Sequence, residues 1–114
     1  MNDLIERVWE YSQNNPDGFT LNIETLKEVK FGIAVAFKET QNSFGKQSLQ
    51  TVINHALENE KTIGGWLNGD NGLFYFDSIK VFKNSEIKEA MKFGIENEQI
   101  AIFDLTNLKV ITLK

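Results

Sequence analysis

The chain has no cysteine, one proline at position 16 and one histidine at position 55. Without cysteine there is no disulfide, no thiolate nucleophile and no thiolate-bound zinc, and the absence fits a reducing compartment. One histidine cannot make a structural zinc site unless carboxylates supply every other ligand, so neither a metal nor a cofactor is expected. Basic residues are also scarce: 12 Lys and Arg against 16 Asp and Glu give a formal net charge of −4. Backbone-driven nucleic-acid binding needs clustered Lys and Arg to release counterions, so no generic nucleic-acid binding is expected. No apolar run is long enough to span a bilayer, and no membrane association is expected. The opening "MNDLIERVWEY" carries charge throughout, unlike a signal peptide, which leads to a cytoplasmic expectation.

What is present suits a folded core. The 114 residues are 41% hydrophobic and include nine phenylalanines, which fits one domain spanning 1–114. Asp3 followed by Glu6 resembles a capping box, and Leu4, Ile5, Val8 and Trp9 recur at helical spacing. "NNPDGF" stops that helix, and Phe19, Leu21 and Ile23 alternate with polar residues as a short strand. "ETLKEVK" reads either as a wide hairpin connection or as one helical turn. In "FGIAVAF" the residues Phe31, Ile33, Val35 and Phe37 face one way, and Gly32, Ala34 and Ala36 the other. Leu49, Val52, Ile53, Ala56 and Leu57 mark a second amphipathic helix.

"TIGGWLNGDNGLFYF" reads as a hairpin whose second strand continues through "DSIKVF". Phe74 and Phe76 share one face while Ile79 and Val81 take the other, which predicts a bulge near Asp77-Ser78 to return both pairs to one core. Asn84 or Ser85 is the expected cap of a third helix containing Ile87, Ala90, Met91 and Ile95, with Gly94 packed closely on a neighbour. "IAIFDL" and "LKVITL" form a last hairpin. The expectation is an α+β fold: an antiparallel twisted sheet of about five to six strands with three helices, in the order α-ββ-α-ββ-α-ββ and with the helices on one side.

The chemistry-bearing residues do not assemble into a recognisable catalytic motif, and no catalytic residue is assigned. His55 reads as a helix-edge side chain, and there is no Gly-x-Ser-x-Gly elbow. "GGWLNGDNG" leads into a strand, whereas a phosphate loop must open a helix. Asp77 and Asp104 each end an apolar strand segment, where burial would raise the carboxyl pKa unless the side chain caps a turn. Trp66, Phe74, Tyr75 and Phe76 read as core packing rather than a stacking platform for bases, with Trp66 buried under the helices. In "KETQ" continued alternation puts Lys38 and Thr40 on the Gly/Ala side, and Glu39 and Gln41 with the bulky side chains. Glu39 and Gln41 are then expected to bond backbone groups of the loop near Asn97 to Gln99, with partner binding at this rim as the functional alternative.

The order "GFTLN", "GIAVAFKETQ", a helix, "IGGWLNGDNGLFYFDSIKVF", a helix and "NEQIAIFDLTNLKVI" resembles a small accessory domain of phages and bacterial conjugative elements. Such domains occur alone or inside large polyvalent proteins. The resemblance covers about Gly18 to Ile111 and rests on Gly64-Gly65-Trp66, Phe76-Asp77-Ser78 and Asn97-Glu98-Gln99. It implies a mobile-element protein and carries no catalytic residues. The resulting expectation is a non-enzymatic protein-binding module whose partner is a host or element protein, with Lys38, Glu39, Thr40, Gln41, Asp77, Asn97, Glu98 and Gln99 as candidate binding residues. The alternatives are a small ligand-binding domain or enzyme using Lys38, Glu39, Asp77 or Glu98, and an anti-restriction DNA mimic. A mimic needs acidic residues massed on one face, whereas here they alternate with lysines.

Overall fold

The computed structural model describes residues 2–113, with side chains from Asp3 onward. Helix α1 (Asn2–Gln13) buries Ile5 and Val8. Asp3 sits inside its first turn and pairs with Arg7 at 3.3 Å instead of capping, and Glu6 reaches across to Lys46. Strands β1 (Phe19–Asn22) and β2 (Lys27–Glu28) then form a hairpin. Asn22 Oδ1 accepts the main-chain N–H groups of Glu24 and Thr25, which resolves "ETLKEVK" as a tight turn.

The remaining elements are β3 (Ile33–Ala36), β4 (Ser43–Phe44), α2 (Gly45–Glu58), β5 (Thr62–Leu67), β6 (Phe74–Phe82), α3 (Ile87–Glu96), β7 (Ala101–Asp104) and β8 (Lys109–Thr112). The fold is α+β. Every strand pairing is antiparallel, and the order across the sheet is β2-β1-β5-β6-β3-β7-β8, with β4 also paired to β6. The described residues hold eight strands where alternation predicts five to six; the two-residue strands β2 and β4 are too short to show a period.

One sheet face carries all three helices. Leu21 lies opposite Ile63, Gly65 opposite Phe76 and Ile33 opposite Phe82, so these residues share that face. They divide into two clusters. α1 and α2 cover Phe19, Leu21, Ile63, Phe74 and Phe76, whereas α3 covers Ile33, Val35, Phe82 and Ile102. Gly65 and Gly94 permit the close approaches. A Cβ would stand 2.7 Å from the Phe19 ring at Gly65, and 2.6 Å from Leu113 Cδ1 at Gly94.

Between the clusters the helix layer has a seam, and it corrects the expected bulge. β6 runs unbroken through Asp77 and Ser78. Its helix-facing line is Phe74, Phe76, Ser78, Lys80 and Phe82, and the two polar residues lie beneath the seam. Phe37 fills the gap edge-on between His55 of α2 (4.9 Å) and Phe93 of α3 (5.2 Å). The Lys80 ammonium rests over the rings of Phe82 and Phe93, at 5.0 and 5.2 Å. Ile79 and Val81 therefore stay on the opposite face, where they pair with Ala36 and Ala34. The small-residue face of β3 is the one without a helix.

The cap of α3 also differs from expectation. Lys83 N–H donates to Glu86 Oε1 across a 3₁₀ turn at Asn84–Glu86. Asn84 instead donates to Asp104 Oδ1 and accepts from the Thr106 hydroxyl, tying the start of α3 to the β7–β8 turn.

Candidate functional site

β3 and β4 both pair with the same side of β6, β3 with Ile79–Phe82 and β4 with Tyr75–Phe76. The intervening residues 37–42 leave the ladder beside Asp77 and Ser78. This detour is "KETQ", a 3₁₀ turn at Lys38–Thr40 and not the continued strand that alternation suggests. It needs local replacements for lost ladder bonds. Phe37 N–H donates to Ser78 O at 2.9 Å, and Thr40 Oγ1 accepts Ser78 N–H at 2.9 Å. Thr40 is therefore buried on a structural bond, contrary to its expected place with Gly32 and Ala34.

The detour gathers most of the residues expected to form a site. Lys38 N–H donates to Asn97 Oδ1 at 3.1 Å, and the Asn97 amide donates back to Phe93 O. Gln99 bonds the Asn97 carbonyl, and Lys38 Nζ lies 3.7 Å from Glu98 Oε2. The link to Asn97 thus exists, but through the Lys38 backbone and not through Glu39 or Gln41. Glu39 turns to His55, 3.6 Å from Nε2. His55 Nδ1 lies 2.8 Å from Ser78 Oγ.

Glu39, His55 and Ser78 have the composition of an acid–histidine–serine relay, an arrangement invisible in the sequence because the three come from three separate elements. The relay cannot attack a substrate. Ser78 is wholly buried in mid-sheet, its N–H and C=O both engaged by the detour. A nucleophile needs an open approach as well as a base. The cluster is a polar lock between α2, the detour and β6.

The helix-free face is different. Trp66 lies opposite Tyr75, and Tyr75 opposite Phe44, so three aromatic residues cross adjacent strands in one row. Trp66 stacks on Tyr75 with centroids 5.6 Å apart and planes at 22°, and Phe44 leans on the other flank, also at 5.6 Å. The Asn71 amide donates to the Tyr75 hydroxyl and pins it. Trp66 is 47% exposed and Phe44 45%. This overturns the expectation that Trp66 is buried under the helices. Along β5 it is Ile63 and Gly65 that face inward, and Gly65 leaves room for the Phe19 ring.

Asp77 belongs to the same helix-free face, two residues along β6 from Tyr75 and opposite Gly64. It makes no ion pair and accepts no hydrogen bond among the described residues. Burial alone pushes its carboxyl pKa from 3.8 up to about 6. Asp104, expected to behave likewise, does the reverse. Hydrogen bonds from the Asn107 and Asn84 side chains hold its pKa below the usual range. It caps the β7–β8 turn.

Lys38, Glu39, Gln41, Asp77 and Glu98 line neither of two open concavities, which lie against Tyr11 and Leu26 and against Met91 and Ile95. Among the described residues, no group of three His, Cys, Asp or Glu is placed to hold a metal ion, and no helix is long and apolar enough to cross a membrane. Comparison with known proteins gives no match to a family model, a curated protein or a solved structure.

Proposed function

We propose that this chain is a non-enzymatic protein-binding module of a phage or bacterial mobile element, and that it engages its partner through the helix-free sheet face. The observation that carries the reading is the exposed row Trp66–Tyr75–Phe44. Large aromatic side chains held rigidly at the surface supply contact area with little further loss of side-chain freedom, and they dominate the energetics of protein interfaces. The sequence resemblance supports the mobile-element setting. The buried Ser78 speaks against catalysis at the polar cluster.

Of the residues expected to bind, Thr40 and Asn97 are used within the fold, while Lys38, Glu39, Gln41 and Glu98 are exposed and form a polar rim. The test is cross-linking and capture in the producing cell, followed by titration of the purified partner. Trp66→Ala with Phe44→Ala should weaken binding by about 30-fold or more, the scale of an interface hot spot. Full affinity in that variant, with loss in Glu39→Ala/Gln41→Ala, would move the interface to the rim and reject the sheet face.

A further inference from the structure

The least explained side chain in the molecule is Asp77. A carboxylate in mid-strand on a largely apolar face is unfavourable unless it is paired or hydrogen-bonded. The fold gives it neither. Along β6 its same-face neighbours are Tyr75 and Ile79, and directly across stands Gly64, which has no side chain. Ile79 leans over that glycine; a Cβ at Gly64 would meet Ile79 Cγ1 at 3.2 Å. On its other side the ladder is interrupted, because residues 37–42 leave it there. Nothing in the core requires an acid at this position, since the Asp77 side chain bonds to no other element among the described residues.

The register makes Asp77 the diagonal neighbour of Trp66 on this face, a backbone spacing of about 7–8 Å. The indole of Trp66 uses one side against Tyr75 and is about half exposed elsewhere. A flat, fixed aromatic surface beside an unpaired, partly desolvated carboxylate is complementary to one kind of side chain: a planar cation that stacks through its face and donates hydrogen bonds from its edge. Guanidinium meets both conditions, whereas ammonium offers no plane.

We infer that the helix-free face binds an arginine side chain of the partner protein, with the guanidinium stacked on Trp66 and its N–H groups donating to Asp77. The inference rests on the proposed protein-binding role and specifies its chemistry. Partner binding neutralises a carboxylate that the free protein leaves unpaired. The net charge of −4 favours the approach of such a basic partner surface.

N-acetyl-L-argininamide titrated into the 114-residue chain tests this, with N-acetyl-L-citrullinamide, its neutral near-isostere, as the comparison. The readout is the pair of indole N–H signals in a ¹⁵N spectrum, Trp66 and the α1 residue Trp9. The Trp66 signal should shift saturably with the arginine compound and the Trp9 signal should not. The citrulline compound should bind about tenfold or more weakly, the value of a charge-assisted contact. Asp77→Asn should bring arginine down to the citrulline level. Equal shifts with both compounds, no Trp66 shift, or an unchanged response in Asp77→Asn would each overturn the inference. The partner itself separates the two readings. Capture lost in Trp66→Ala but fully retained in Asp77→Asn rejects arginine recognition alone. Capture unchanged by Trp66→Ala with Phe44→Ala rejects the sheet-face interface as a whole.

Discussion

The hydroxyl of Thr40 stands in for a missing strand: it accepts the main-chain N–H of Ser78 at 2.9 Å, in a fully buried position, where the neighbouring backbone has left the ladder. This bond lets β3 break off and resume as β4 without orphaning a donor in mid-sheet. Thr40→Val keeps the shape and removes the acceptor. It should lower stability in urea unfolding by about 1–3 kcal/mol, the range for a buried group left unsatisfied. Thr40→Ser should lose less, because it retains the oxygen. Equal losses in the two variants would show that the methyl group matters and the hydrogen bond does not.

Trp66→Ala should lower stability by only about 1 kcal/mol, the scale of one aromatic pair. A core tryptophan would cost about 3–5 kcal/mol. Urea unfolding checks this. A loss in the core range would mean that the indole is enclosed, and it would remove the basis for an interface at this face.

Asp77 gives stability a pH dependence opposite to that of most carboxylates. Its folded pKa, about 6, lies above the unfolded value of 3.8. Between those values the folded state holds a proton that the unfolded state has released. The contribution of Asp77 is therefore most favourable below about pH 4 and is lost as pH rises through 6. Asp77→Asn should stabilise the protein at pH 7 by about 1–2 kcal/mol, and the gain should vanish toward pH 4. Thermal melts of both proteins across that range measure it. A constant difference at every pH would be incompatible with a titrating carboxyl.

Asp104 has the ordinary sign. Its folded pKa is depressed by the Asn107 and Asn84 amides, so the stability it brings is present above the unfolded pKa and fades as pH falls through the folded one. Asn107→Ala and Asn84→Ala should each raise the Asp104 pKa when followed by carboxyl ¹³C NMR. An unchanged titration in both would rule these amides out as the cause.

Glu98 occupies the left-handed position that closes α3, with φ of 58°, while Gln99 N–H returns to Gly94 O at 2.9 Å. Glycine relieves the Cβ clash there, so Glu98→Gly should raise stability by about 0.5–1 kcal/mol. The ion pair with Lys38 that it removes is exposed and contributes little. A destabilised variant in urea would mean that this contact outweighs the backbone strain.

Periodicity alone determined the three helices, the two late hairpins, the α+β class and the close packing at Gly94, because each depends on residues near one another in the chain. It also marked residues 38–41 as a polar stretch after an apolar strand, whereas residues 97–99 stood out only through the family resemblance. It did not determine which sheet face lacks helices, since alternation separates two faces without saying which is covered. Alternation therefore allows Trp66 under the helices, whereas it stands on the uncovered face. Alternation across Phe76 and Ile79 predicts a bulge in β6, whereas a seam between α2 and α3 accommodates the same polar residues, Ser78 and Lys80, in a straight strand. The irregularity lies in the facing strand, where Thr40 replaces a ladder bond. Tertiary structure alone brought together Glu39, His55 and Ser78, left Asp77 unpaired beside Trp66, and gave the two aspartates opposite pKa shifts. Each of these depends on neighbours distant in the chain, and one sequence read by its local periods holds no record of those distances.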